Sequence, residues 1–229
     1  MNKTTLQDAE SDNIAQRIKS QFAPAYLTLA SIIQGVALST LVVRVESSYP
    51  GFNAVAWLLT ITTFFVILDI WHEYLMLVLA YVWLPTLLDS IVPFAFVAAE
   101  LFLAHFVYGN LRAWLLAYAA CYLVGIAAWL LRNTQVRQLA EEERMVHKRL
   151  ASSDRFRGVL VILLAVLSLM SWALYDLLRL GQVQLIVASC AFLGGLIFIG
   201  SSIPYWNRFL DFALDRPEAN QLSKQTRRL

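Results

Sequence analysis

Asp69, His72 and Glu73 fall within five residues in the stretch Leu68-Asp69-Ile70-Trp71-His72-Glu73-Tyr74-Leu75. They interrupt a run, Ala54 to Gly109, whose other ionisable side chains, tyrosines aside, are Asp89, Glu100 and His105. An acid, an imidazole and a second acid so spaced can bind a metal, pass protons or hold a cation. His72-Glu73 matches the first half of the zinc-protease pattern H-E-x-x-H, in which histidines on successive turns share the metal. Met76 stands where the second histidine belongs, and neither His105 nor His147 has the spacing to replace it. An intramembrane aspartyl protease would need a second aspartate after Gly-x-Gly to partner Tyr175-Asp176, and the chain has none. Ser201-Ser202 lacks a Gly-x-Ser-x-Gly context, and there is no phosphate-binding loop or haem-type histidine pair. The sequence therefore reads as a non-enzyme, with no metal and no cofactor.

The elements that hold these residues follow from composition. Of 229 residues, 59% are hydrophobic and 15% charged, and mean hydropathy is +0.60. Soluble domains carry roughly 25% charged residues, so this chain is short of polar surface. Several apolar runs exceed the roughly 20 residues that span a bilayer. They are continuous, without the alternation of a β-barrel, so an all-α polytopic membrane protein is expected. The net charge of +2, with no basic patch interleaved with aromatics, excludes a nucleic-acid partner. Cys121 and Cys190 both lie in apolar runs and read as buried thiols.

Five apolar stretches are visible: Pro24–Val43, Ala54–Gly109, Ala113–Leu131, Val159–Leu178 and Val183–Ile203. The second is long enough to cross, turn and cross again. Cation asymmetry fixes the count at six crossings. Lys3, Arg17 and Lys19 then share a side with seven cations from Arg132 to Arg157 and with five more from Arg208 onward. Arg44, Arg112 and Arg179 alone remain opposite. The expected organisation is a cytoplasmic segment 1–21, a six-helix domain 22–206 with a charged cytoplasmic loop 132–157, and a cytoplasmic tail 207–229. Both termini would face the cytoplasm, in a bacterial-type inner membrane.

His72-Glu73-Tyr74 is the most polar point of the long run and is the expected turn, with Trp71 and Tyr74 at headgroup level. Asp69 lies a turn inside, where an ionisable group is costly unless paired or functional. Asp69, Trp71, His72 and Asp89 are expected to form one polar cluster between helices two and three. Pro85 and Pro93 should bend helix three around Asp89. Thr134–Leu150, with a thin stripe of Val136, Leu139, Val146 and Leu150, reads as a solvated extension of helix four or a docking surface. The tail from Leu214 onward, with Pro217, is expected to fray.

Three stretches together resemble the bacterial six-helix members of the endolysosomal potassium-channel family. Phe64-Phe65-Val66-Ile67-Leu68-Asp69-Ile70-Trp71-His72 matches the family's Phe-rich second helix with tryptophan and histidine at its mouth. Trp83-Leu84 and Pro93-Phe94 match the third helix, and Gly35-Val36-Ala37-Leu38-Ser39-Thr40-Leu41 the first. The family's Phe-Ser-Asp hallmark is replaced by Ile32-Ile33-Gln34, with no arginine nearby, so potassium selectivity does not carry over. The resemblance implies a homotetramer conducting monovalent cations, potassium in the family, through a pore lined by helix one. Read independently, Gln34, Leu38, Leu41 and Val45 recur on one helical face. Leucine rings there could gate by dewetting, and Gln34 would offer neutral ligands to an ion. Gly35, Ala37 and Ser39 permit close helix approach. The alternative is a non-conducting anchor or sensor subunit for a cytoplasmic protein partner. A proton-coupled carrier using Asp69, Asp89 and Glu100 is least favoured, because no internal repeat is visible.

Overall fold

The computed structural model describes the backbone of residues 3–80, 87–135, 141–178 and 181–214, and within them the side chains of 21, 24–78, 91–134, 153–176, 182–208 and 210–211. These residues form α1 (Lys3–Ser48), α2 (Ala54–Ala80), α3 (Leu87–Phe106), α4 (Leu111–Gln135), α5 (Glu141–Ala173) and α6 (Gly181–Leu214). Tyr49–Gly51 and Tyr175–Leu178 are short 3-10 turns. Pro24–Gly51, Ala54–Val78, Leu111–Thr134, Ser153–Ala173 and Gln182–Arg208 are each long and apolar enough to cross a membrane, and α3 adds the shorter Ile91–Phe106. The 25 residues of Ala54–Val78 extend roughly 38 Å at about 1.5 Å each, against a hydrocarbon thickness of about 30 Å. The chain is an all-α polytopic membrane protein, as its continuous apolar runs predict.

Local chemistry sets the helix starts. Asn53 and Asn110 precede α2 and α4, and their Oδ1 atoms accept from the backbone N–H of Ala56 and Ala113, each at 2.9 Å. Gly109 has φ of +87°, a left-handed position that turns α3 into α4 and that glycine adopts without a Cβ penalty. Arg44 Nη2 donates to the Tyr108 carbonyl at 3.3 Å, the Phe52 and Tyr108 rings stack at 5.5 Å, and Arg112 pairs with Asp176 at 3.5 Å. These contacts gather the α1–α2, α3–α4 and α5–α6 connections at one end of the bundle.

The helices pack in the cyclic order α1, α2, α6, α5, α4, α3 and back to α1, so that they close a ring. Its centre toward the connected end is solid: Trp114, Tyr118, Leu103 and Ile67 are fully buried there, and Trp114 Nε1 donates to Thr63 Oγ1 at 3.0 Å. Each helix of the ring contributes to this core, from Ala37 and Leu41 on α1 to Ala188 on α6.

Two expectations are corrected. The backbone does not turn at His72-Glu73-Tyr74, because α2 runs through it to Ala80. The reason is partnering: Glu73 finds hydrogen bonds inside the bundle and the Tyr74 ring packs edge-on against Tyr26 and Phe96. Trp83-Leu84 and Pro85 lie outside the described residues. The charged segment does not extend α4. From Glu141 it is the start of α5, continuous with the fifth span. Residues 136–140 and the tail from 215 lie outside the described residues. The polar segment before residue 22 is continuous with the first span in α1.

Candidate functional site

Four helices each send side chains one turn apart toward the ring axis, where polar groups at i, i+3 or i, i+4 share a face. On α2 they are Asp69 and Glu73; on α4, Trp129 and Arg132; on α5, Asp154 and Arg157; on α6, Ser202 and Trp206. They assemble into two networks.

In the first, Arg157 Nη2 donates to Glu73 Oε1 and to Ser202 Oγ, the latter at 2.9 Å. Ser202 Oγ donates to Asp69 Oδ1 at 3.2 Å, and Trp206 Nε1 donates to Glu73 Oε1 at 2.9 Å. The Arg157 guanidinium also lies over the Tyr205 and Phe198 rings, 4.8 and 5.3 Å from their centres. In the second network Asp154 takes Arg132 on one oxygen and Trp129 Nε1, at 2.9 Å, on the other. Asp69 and Arg157 are each 7% exposed and Asp154 4%, so these are interior charges.

Between the networks lies a cavity of about 210 Å³ to which all six helices contribute, from Tyr26 on α1 to Phe198 on α6. It extends from Arg132, Asp154 and Glu73 at the end of the bundle that carries the α4–α5 connection. It reaches inward to Phe65, Cys121 and Gly195. Beyond it Tyr122 Oη donates to Tyr118 Oη at 2.8 Å, and Tyr118 Oη to the Ala191 carbonyl at 3.0 Å, closing the axis. The charges around the cavity do not balance: Asp69, Glu73 and Asp154 face Arg132 and Arg157. Among the described residues, three carboxylates against two guanidiniums leave a formal deficit of one positive charge inside a membrane-spanning bundle. Tyr74 Oη, on the cavity wall, is buried without a hydrogen-bond partner among the described residues.

The residues singled out from the sequence are divided by this geometry. Asp69 joins Ser202 on α6, and through it Arg157 on α5, whereas the side chain of Asp89 lies outside the described residues. His72 meets the Trp206 ring edge-on at 6.5 Å, whereas Trp71 points away, its Nε1 donating to Ser31 Oγ on α1 at 3.5 Å. The Gln34–Val45 stripe turns into the chain's own bundle. Gln34 is buried and its Nε2 donates to Glu100 Oε1 at 3.1 Å. Leu41 is core, Leu38 packs against that core and Val45 is half-buried. The exposed side of α1 is instead Ile32, Val36 and Val43, with Ser31, Gly35 and Ser39 among them. Cys121 is buried on the cavity wall, whereas Cys190 is exposed.

Sequence reading missed Arg132, Asp154, Arg157, Ser202 and Trp206. It counted the arginines only as topological charges of a loop. The available signal was the pairing Trp129–Arg132 and Asp154–Arg157, each i, i+3 at the mouth of an apolar run. No family model, curated protein or solved structure matches the chain, so its chemistry has to be argued from the site.

Proposed function

We propose that this protein takes a cation into the axial cavity and passes it across the bilayer. The observation that carries the reading is the unbalanced set of three carboxylates and two guanidiniums around one cavity within the spans. An uncompensated charge held away from water costs several kcal/mol, and ionisable residues inside membrane helices mark ligand and ion paths by default. A bound cation completes the site. The cavity opens toward one end and is closed at the other by the packed Trp114–Tyr118 layer, so passage requires that layer to part. This is the behaviour of a gated or alternating device rather than a standing pore. The cation bias of the sequence supports placing both termini and the cavity mouth on the cytoplasmic side of a cell membrane.

A second reading keeps the resemblance to the potassium-channel family: an oligomer in which α1 lines a shared pore. One observation favours it. Ser31, Gly35 and Ser39 lie on the exposed side of α1, four residues apart, and nothing stands within 4 Å of a Cβ built on Gly35. Small residues so spaced let a second helix approach closely. In that reading Val36 and its exposed neighbours, not Leu41, would face the axis.

Charge movement in liposomes holding the purified full-length chain separates the readings. A current driven by a gradient of at least one cation among K⁺, Na⁺, H⁺ and substituted ammonium ions should rise above empty liposomes. Loss of current in Asp69→Asn with Val36→Ser unaffected supports the cavity path. Altered current in Val36→Ser with Asp69→Asn unaffected moves the path to α1. No current from any cation refutes both and leaves an anchoring or sensing subunit.

A further inference from the structure

We infer that the cation taken by this cavity is a compact substituted ammonium, an organic cation rather than a bare alkali ion; the inference rests on the cavity being the cation site. The missing positive charge is local. Asp154 is matched by Arg132 and Trp129, whereas Asp69 and Glu73, one turn apart on α2, share the single guanidinium of Arg157. Ser202 occupies one oxygen of Asp69, and Arg157 and Trp206 share one oxygen of Glu73. No hydrogen bond from the described residues reaches Asp69 Oδ2 or Glu73 Oε2. Among the described residues two carboxylate oxygens on one helical face are thus left facing the cavity with no cation of their own, open to the charge of a ligand.

The rest of the wall says what carries that charge. Phe65, Tyr74, Phe96, Tyr122, Trp129 and Phe198 line the cavity. Aromatic faces attract cations, and alkylated ammonium groups are the ligands such cages recognise. An alkali ion needs a ring of oxygens to replace its hydration shell. This cavity offers hydrocarbon between its few oxygens, and among the described residues no three His, Cys, Asp or Glu side chains converge as a metal site. A substituted ammonium gives up little hydration, sets its charge against Asp69 and buries its carbon against the rings. The size agrees. An apolar cavity of about 150 Å³ holds benzene, and this one, at about 210 Å³, has room for a ring bearing a small ammonium head.

The test uses the full-length protein in detergent, titrated by calorimetry with benzyltrimethylammonium, with its neutral isostere neopentylbenzene, and with K⁺ and Na⁺. Benzyltrimethylammonium should bind saturably, and the isostere at least about tenfold more weakly, a difference of about 1.4 kcal/mol. Asp69→Asn keeps an acceptor for Ser202 while removing the charge, and should weaken the cation by about tenfold or more. Asp176→Asn, at the opposite end of the bundle, should leave its affinity unchanged. Phe96→Leu keeps the wall apolar and should weaken the cation several-fold even if Asp69→Asn does not fold. Saturable K⁺ or Na⁺ binding without benzyltrimethylammonium binding overturns the ligand class and leaves the cation site standing. Equal binding of the neutral isostere, or no binding of any probe, overturns both. Binding of benzyltrimethylammonium without charge movement in liposomes overturns translocation alone.

Discussion

Arg157 is the side chain on which the buried charge of the bundle turns. Replacing it by Met preserves most of the stem that lies along Phe198 and Tyr205, while removing the guanidinium that serves Glu73 and Ser202. Asp69 and Glu73 are then left as neighbouring carboxylates with no cation. Removing one partner of a buried ion pair costs about 3–5 kcal/mol, because the other charge remains in a low-dielectric interior. For a chain of this length each kcal/mol moves the midpoint by about 2–4 °C, so Arg157→Met should melt roughly 6–20 °C below the parent in detergent. Glu73→Gln isolates the cause, since it keeps an acceptor for Trp206 but carries no charge. The double variant should recover part of the loss, with a coupling energy above about 1 kcal/mol in the four-way cycle. The assay is the melting curve of monodisperse, full-length protein followed by tryptophan fluorescence. A parent-like midpoint for Arg157→Met, or additivity within about 0.5 kcal/mol, would refute the claim that Arg157 and Glu73 neutralise each other inside the bundle.

Gln34 Oε1 and Glu100 Oε2 are buried without partners among the described residues, around the one bond the two residues share. Gln34→Leu alone should therefore cost about 1–3 kcal/mol by orphaning Glu100, whereas Gln34→Leu with Glu100→Leu should melt close to the parent. Gly158→Ala would place a Cβ 3.1 Å from the ring of Trp129, which Asp154 pins. A loss of about 1–3 kcal/mol is expected from that overpacking. Gly125→Ala, whose Cβ would meet Val161 at an ordinary 3.6 Å, should be neutral or slightly stabilising in the same melts. Reporter fusions at Gly51, Asn110 and Gln182 should all face away from the cytoplasm; a cytoplasmic Asn110 would break the pairing of connections at one end of the bundle.

The sequence by itself determined the class of protein and the number of helices. A chain with so few charges and such long apolar runs can satisfy its backbone in lipid only as helices, and that constraint does not depend on how the helices pack. It could not determine where the long run turns. A polar trio such as His72-Glu73-Tyr74 looks like an interface until its partners are known, and those partners, Arg157 and Trp206, lie far along the chain on α5 and α6. For the same reason the sequence marked Gln34, Leu38 and Leu41 as one face correctly but not what that face meets. Periodicity gives the angle around a helix axis, whereas the neighbour is chosen by the order of helices in the ring. The arginines show the difference most plainly. As letters at the edge of an apolar run, Arg132 and Arg157 read as loop charges counting toward topology. Only tertiary packing, which brings α2, α4, α5 and α6 around one axis, turns them inward against Asp154 and Glu73. The set of charges around the cavity exists only because those helices meet.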